Sequence, residues 1–372
     1  MKSMEKAAYK NAELSIEERV ADLLPRMSLE QKIAQLNCLF ANGGVAPDKE
    51  QMKDGIGQVS AIFAGMTAAD NVKCMREVQR ILVEETELGI PALIHAEGLS
   101  GAVIAEATNF PVAIGLGATW DDEKINKMAN VVRRQMRAVG VNQSFSPVLD
   151  VARDLRWGRV GETYGESPTL TAQMGVACVK GLQGEDLKDG VAATSKHFLG
   201  FAMGQGGFNL AGASITPREL REVYAKPFEA AIREAGLATV MNTYSSIDNE
   251  PVVCSKKMLT DLLRGEMGFE GVTVTDYASL SRLKDVFKVA KDYTQAGVMA
   301  FNAGMDQELP APVGFGPEFC EAVRRGDVEE AYLNQVVGRI LTLKFKLGLF
   351  DHPYPDEGAV ANVYHQPEDE EL

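Results

Sequence analysis

Short apolar runs of strand length recur along this chain, separated by longer amphipathic stretches. That alternation restricts the fold more than any other property of the sequence. The runs stand at 59–64, 90–95, 141–150, 190–198, 237–244, 271–276 and 297–306, with helical patterns such as 121–138 and 256–267 between them. Strands that alternate with helices build a parallel sheet, because each crossover returns the chain to the same end of the sheet and covers it. The expected fold is α/β, a (β/α)8 TIM-type barrel forming a single domain over residues 1–350. A doubly wound open sheet is the competing topology.

Local signals support helices at several of the expected places. Ser28-Leu29-Glu30-Gln31 fits a capping box that opens a helix toward Cys38. Thr216-Pro217-Arg218-Glu219 is a second strong start, and Leu220, Val223, Tyr224, Phe228 and Ile232 then share one helical face. Pro227 is expected to kink that helix. Leu333, Val336, Val337, Ile340 and Leu343 keep helical spacing up to a stop at Gly348. After Asp351 proline, glycine and acidic residues take over, so 351–372 reads as an acidic linker or tail with Glu368-Asp369-Glu370-Glu371 solvated.

The 372 residues suffice for one large barrel or two ordinary domains. The 38 basic and 52 acidic residues leave a net charge of −14, which makes nucleic acid and anionic membranes poor partners and suits a neutral or cationic small molecule. Cys38, Cys74, Cys178, Cys254 and Cys320 are scattered and form no Cys-x-x-Cys pair, against both a disulfide framework and a zinc site. The start, Met1 to Val20, is charged and lacks the roughly 7–15-residue apolar core of a secretory signal. No run of ~18 apolar residues is present to span a membrane. A cytoplasmic location with reduced thiols is expected.

Chemistry-bearing residues gather at the ends of the expected strands: Glu97, Asp150, Lys196-His197, Tyr244, Asp276 and Asp306. Asp276 stands out, because the β-branched run Val272-Thr273-Val274-Thr275 delivers a bare carboxylate to a strand end, where a barrel places its active site. Lys196-His197 has two readings from the residues alone, a structural pair or a Schiff-base lysine of the barrel-aldolase kind. Nearby carboxylates would oppose the second by stabilising the ammonium. Arg153-Asp154-Leu155-Arg156-Trp157-Gly158-Arg159 combines arginine forks, which can grip vicinal hydroxyls, with a tryptophan on which a sugar ring can lie. Structural salt bridges account for at least one of these arginines, and Glu162 and Glu166 read as their neutralising partners. Gly115-Leu116-Gly117 and Gly204-Gln205-Gly206-Gly207 lack dinucleotide-loop spacing, and no G-x-S-x-G elbow is present. His95, His197, His352 and His365 form no metal-ligand pattern, so neither a metal nor a cofactor is expected.

Read together, these motifs resemble glycoside hydrolase family 3. Ile90-Pro91 leading to Glu97-Gly98, the Arg153–Arg159 run, Lys196-His197-Phe198, Met241-Asn242-Thr243-Tyr244 and Thr275-Asp276-Tyr277 follow that family's order. Leu262-Leu263-Arg264-Gly265 and Met267-Gly268-Phe269 belong to the same signature, and the likeness runs from about 16 to 355. Gly206-Gly207-Phe208-Asn209 is similar to the branch acting on β-glucosides and β-xylosides; the extra loop histidine of the hexosaminidase branch is absent.

The resemblance implies a retaining β-glycosidase with Asp276 as nucleophile. Glu97, Arg159, Lys196 and His197 would hold the sugar, Tyr244 would stand beside the nucleophile, and Met241 would line the pocket. Lys196 and Arg159 would keep Asp276 ionised at neutral pH. It also implies a small-molecule β-glycoside or oligosaccharide as partner. The family's usual C-terminal α/β sandwich domain, which lends the acid/base glutamate, is not expected within these residues, so the acid would come from a second domain or chain, or else from the barrel's own loops. The alternative is a sugar-binding remnant with impaired turnover.

Overall fold

A computed structural model of the protein describes residues 7–41, 44–61 and 66–372. Residues 62–64 of the run expected at 59–64, and the first six residues of the charged start, lie outside them. Seven strands form one parallel sheet: β1 (Cys38–Ala41), β2 (Gln58–Ala61), β3 (Leu93–Ala96), β4 (Gln143–Ser144), β5 (Ala192–Phe198), β6 (Thr239–Asn242) and β9 (Val272–Val274), paired in that order. A small antiparallel hairpin, β7 (Ser246–Ile247) with β8 (Glu250–Pro251), interrupts the sequence order after β6. The sheet curls, with helices outside it.

The run expected at 297–306 corrects the sequence reading. Most of it lies in a helix, Tyr293–Ala303, whose N-cap Asp292 accepts a hydrogen bond from Gln295 N. Its apolar residues include three alanines and a methionine, which lose little by being helical, and an upstream cap decides a run that periodicity leaves ambiguous. Only past Gly304, at φ 119°, does the chain extend again. Thr275 N then donates to Gln307 O on the β9 side, and Glu308 N donates to Leu36 O just ahead of β1. The extended stretch therefore touches both edges of the sheet.

The helices form where caps and apolar stripes coincide. Ser28 and Gln31 make the expected reciprocal capping box, opening Leu29–Ala34. Thr216 caps Pro217–Glu219, and a π-helical turn, Leu220–Ala225, precedes Pro227, whose missing N–H cannot close an ordinary turn. The helices Asp122–Ala138 and Pro168–Gln183 pack closely because Gly181 has no Cβ: one added there would stand 2.5 Å from Asn126 O. Gly348, at φ 69°, ends Glu330–Lys346 as anticipated.

Inside the curl the side chains are polar and bonded to one another, with Gln143 Oε1 left over. Gln143 Nε2 donates to Thr194 and Thr239 hydroxyls at 3.1 and 3.3 Å, and the two threonine hydroxyls are hydrogen-bonded to each other at 2.6 Å. His95 Nδ1 bonds Gln58 Oε1 at 2.8 Å, Gln58 pairs with Gln307, and Gln307 Nε2 reaches Gln35 O at 2.9 Å. Such a core costs little only when each group finds its partner.

The expectation of a solvated acidic end fails at Asp369. Its side chain is 4% exposed and lies 2.6 Å from Arg134. Tyr364 is buried nearby, its hydroxyl donating to Gln135 O. Asp351 pairs bidentately with Arg19 at 2.7 and 2.9 Å. Composition suggested a free tail, but these anchors hold 351–372 against the outer helices.

Candidate active site

Asp276 follows β9 directly. Its backbone N–H donates to Asn242 Oδ1 at 3.0 Å, which ties the end of β9 to the end of β6. Oδ1 accepts from the Tyr277 N–H at 2.7 Å, whereas Oδ2 is buried without a hydrogen-bond partner and lies 3.7 Å from His197 Nε2. Burial pushes the carboxyl above its ordinary range, against the pull of the Lys196 and Arg159 cations. The two cations thus offset part of the desolvation without reversing it.

β5 supplies the adjacent pair. Lys196 Nζ reaches Glu97 Oε2, from the loop after β3, at 2.6 Å. An ammonium committed to a carboxylate has no free lone pair for carbonyl attack, which argues against the Schiff-base reading. His197 is held on both ring nitrogens: Nδ1 lies 2.8 Å from Asp150 Oδ2 and Nε2 lies 3.1 Å from Arg159 Nη2. Burial and the Arg159 and Lys196 cations hold this imidazole far below the ordinary histidine range. It is neutral, and the two contacts assign its proton to Nδ1 with Nε2 as acceptor. Burial also pushes the Asp150 carboxyl up to about 7 despite the His197 N–H it accepts. Asp150 Oδ1 has no partner, so a proton taken up there leaves both contacts to Oδ2 intact.

Arg159 also grips Glu162, at 2.7 Å to each carboxylate oxygen, and its guanidinium lies 5.3 Å from the centre of the Phe201 ring. Arg156 pairs with Asp154 at 2.7 Å. Tyr244 donates its hydroxyl to Tyr277 O at 2.8 Å, beside Asp276. Tyr277 is in turn fixed by Ser60 Oγ at 3.1 Å and His95 Nε2 at 3.0 Å. A cleft of about 910 Å³ opens along Glu97, Arg159, Glu162, Lys196, Tyr277 and Phe40.

Six of the seven residues singled out from the sequence therefore converge: Glu97, Arg159, Lys196, His197, Tyr244 and Asp276. Met241, the seventh, is buried at 2% exposure on the same face of β6 as Thr239, whose hydroxyl meets Thr194 inside the curl. Trp157 is no sugar platform, because it is 1% exposed, packed on Phe201 and bonded to Asn209 Oδ1 at 2.8 Å. Asp306 lies away from the rim, fully buried between Arg264 and Arg339 at 2.7 and 2.6 Å. Sequence reasoning marked Asp150 as a strand-end acid without giving it a role, and it missed the Tyr277–His95 support. A strand-end position was legible, whereas the pairing across strands was not.

Paired cations and acids around one bare carboxylate, at the carboxyl edge of a parallel sheet, mark the chain as kin to the glycoside hydrolases. It belongs to glycosyl hydrolase family 3, whose N-terminal domain matches residues 28–343. It is 36% identical over 363 residues to a putative β-xylosidase of Formosa agariphila, covering 94% of this chain and 48% of that protein. It is 32% identical to a lysosomal β-glucosidase of Dictyostelium discoideum, over 95% of this chain and 46% of the other. A solved β-glucosidase from Erythrobacter marinus superimposes with a TM-score of 0.92 at 33% identity, over 98% of this chain and 49% of that one. The chain thus spans about half the length of the relatives it matches.

Proposed function

We propose that this chain forms the nucleophile-bearing domain of a retaining β-glycosidase that removes terminal β-D-glucosyl or β-D-xylosyl residues. Residues 1–350 would then be a complete (β/α)8 barrel, with the stretch after Gly304 standing as its eighth element. The observation that carries the reading is Asp276 Oδ2, a buried carboxylate oxygen without a hydrogen-bond partner, 3.7 Å from His197 Nε2 and on the residue next in the chain to Tyr277 of the cleft. In this reading Oδ2 attacks the anomeric carbon as the bond to the leaving oxygen breaks. Water later attacks the same carbon, releases the sugar and restores the carboxylate. Glu97, Arg159, Lys196 and His197 hold the ring hydroxyls, and the charge-assisted contacts among them strengthen as positive charge builds on the ring.

The leaving oxygen needs a proton from a second carboxyl roughly 5–5.5 Å from the nucleophile. Glu97 is engaged by Lys196 and Glu162 by Arg159, so neither is free for that work. In this reading the acid comes from another domain or chain. The same pairing supports the second reading, a domain that binds sugar with little turnover.

Incubation with 2,4-dinitrophenyl 2-deoxy-2-fluoro-β-D-glucoside, followed by intact mass and peptide mapping, tests the assignment. This leaving group needs little acid help. A sugar on Asp276, absent from Asp276→Asn, is the expected result. Glucose binding without a label on the wild type would favour the binding-only reading, and a label elsewhere would overturn the nucleophile.

A further inference from the structure

Arg282 lies on the short helix Ser279–Asp285 that follows Asp276. Among the described residues it is the one arginine whose side chain donates no hydrogen bond and joins no ion pair, and its Nε is buried without a partner. Its guanidinium rests 4.8 Å from the centre of the Tyr244 ring, the residue whose hydroxyl is fixed to Tyr277 O beside Asp276. The acid on its own helix, Asp285, is engaged by Lys284 at 3.6 Å and by the Tyr293 hydroxyl at 3.1 Å. In a chain of net charge −14, a guanidinium with no carboxylate is an unspent charge.

Its position relates to the direction a substrate would take. Glu97, Arg159 and Lys196 come from the β3, β4 and β5 side of Asp276 and face the cleft. Tyr244 and Arg282 follow β6 and β9, the strands that come next after β5 in the sheet. A sugar ring gripped by the first set, with its anomeric carbon at Asp276, would send its leaving group toward the residues that follow Asp276. An aromatic face keeps a guanidinium in place while leaving its edge N–H groups free to fork onto a carboxylate.

We propose that Arg282 recognises a carboxylate carried on the leaving group, so that the preferred substrates are β-glycosides of acidic aglycones. The inference rests on the glycosidase reading of the site and extends it to the aglycone side. Arg282 acts there as a recognition residue and takes no part in bond cleavage.

Calorimetry on the full chain with phenyl 1-thio-β-D-glucoside and its 4-carboxyphenyl analogue tests it without needing turnover. The wild type is expected to bind the carboxylated compound about tenfold more tightly, the effect of one charged hydrogen-bonded contact, and added salt should narrow the gap. Arg282→Met, which keeps the apolar stem, should abolish the difference; Arg282→Gln serves if that variant does not fold. Equal affinities in the wild type, or a preference that survives both substitutions, would overturn the role of Arg282 and leave the sugar site standing. Failure of both thioglucosides to bind would instead remove the sugar-site reading, and this inference with it.

Discussion

His197 and Asp150 meet twice: one carboxylate oxygen of Asp150 accepts from both the backbone N–H of His197, at 3.0 Å, and its ring Nδ1, at 2.8 Å. The double contact fixes the rotamer and tautomer of the imidazole together and leaves Nε2 turned toward Arg159 and Asp276. Asp150→Ala should strand both donors in a dry site, costing about 2 kcal/mol of stability and about tenfold in sugar affinity. Denaturant melts and glucose calorimetry check the two effects; an unchanged affinity would mean that His197 keeps its pose without Asp150.

Arg159 joins Glu162 to His197. Arg159→Ala is expected to lower glucose affinity at least about tenfold, since charged hydrogen bonds are lost from the hydroxyl-binding wall. A binding isotherm identical to that of the wild type would take Arg159 out of the site.

The pH dependence of covalent labelling has a fixed sign. Asp276 must be ionised to attack, and burial raises its folded value above 3.8. The labelling rate should therefore fall on acidification at a pH above that of an ordinary aspartate. Lys196 pulls the value down, so Lys196→Met should move this acid limb further upward. A limb that stays in place in the variant would show that the ammonium does not tune the carboxylate.

Asp306 serves the fold. Its two carboxylate oxygens neutralise Arg264 and Arg339, and one also accepts from Thr273 N at 2.9 Å. Asp306→Ala leaves two guanidinium groups uncompensated and should cost about 3–5 kcal/mol. The fraction that remains folded should bind sugar as the wild type does, and a selective loss of affinity in it would return Asp306 to the site.

Glu308 accepts from Val313, Gly314 and Phe315 N–H groups, and burial pushes its carboxyl from 4.5 to about 7. The folded state holds this proton more tightly than the unfolded chain. Its contribution is complete below about 4.5 and fades as pH rises through about 7, by up to about 3 kcal/mol. Glu308→Gln should flatten the stability profile across that window in urea melts taken at stepped pH, and an unaltered slope would reject the assignment.

Much of the fold was legible because periodicity and caps are local. The capping box at Ser28, the Thr216 start and the Gly348 stop each involve residues a few positions apart, and the structure shows all three. The run at 297–306 misled because alanine-rich apolar segments suit a helix as well as a buried strand. Trp157 and Asp306 misled for another reason: residue type names what a side chain can do, and burial then decides which use is open to it.

Sequence alone determined that a parallel sheet would form and that Asp276, Lys196, His197 and Glu97 would stand at its carboxyl edge, because strand ends follow from the order of runs along the chain; Arg159 joined them only through the family resemblance. Tertiary structure decided what each of them is bonded to. Glu162 closing on Arg159 is a local contact three residues apart, but Asp150 orienting His197, Asp276 Oδ2 left bare beside His197 and Arg282 resting on Tyr244 arise between segments far apart in sequence. A charge in such a place takes its ionisation from the dielectric and the partners around it, and those exist only once the sheet has curled.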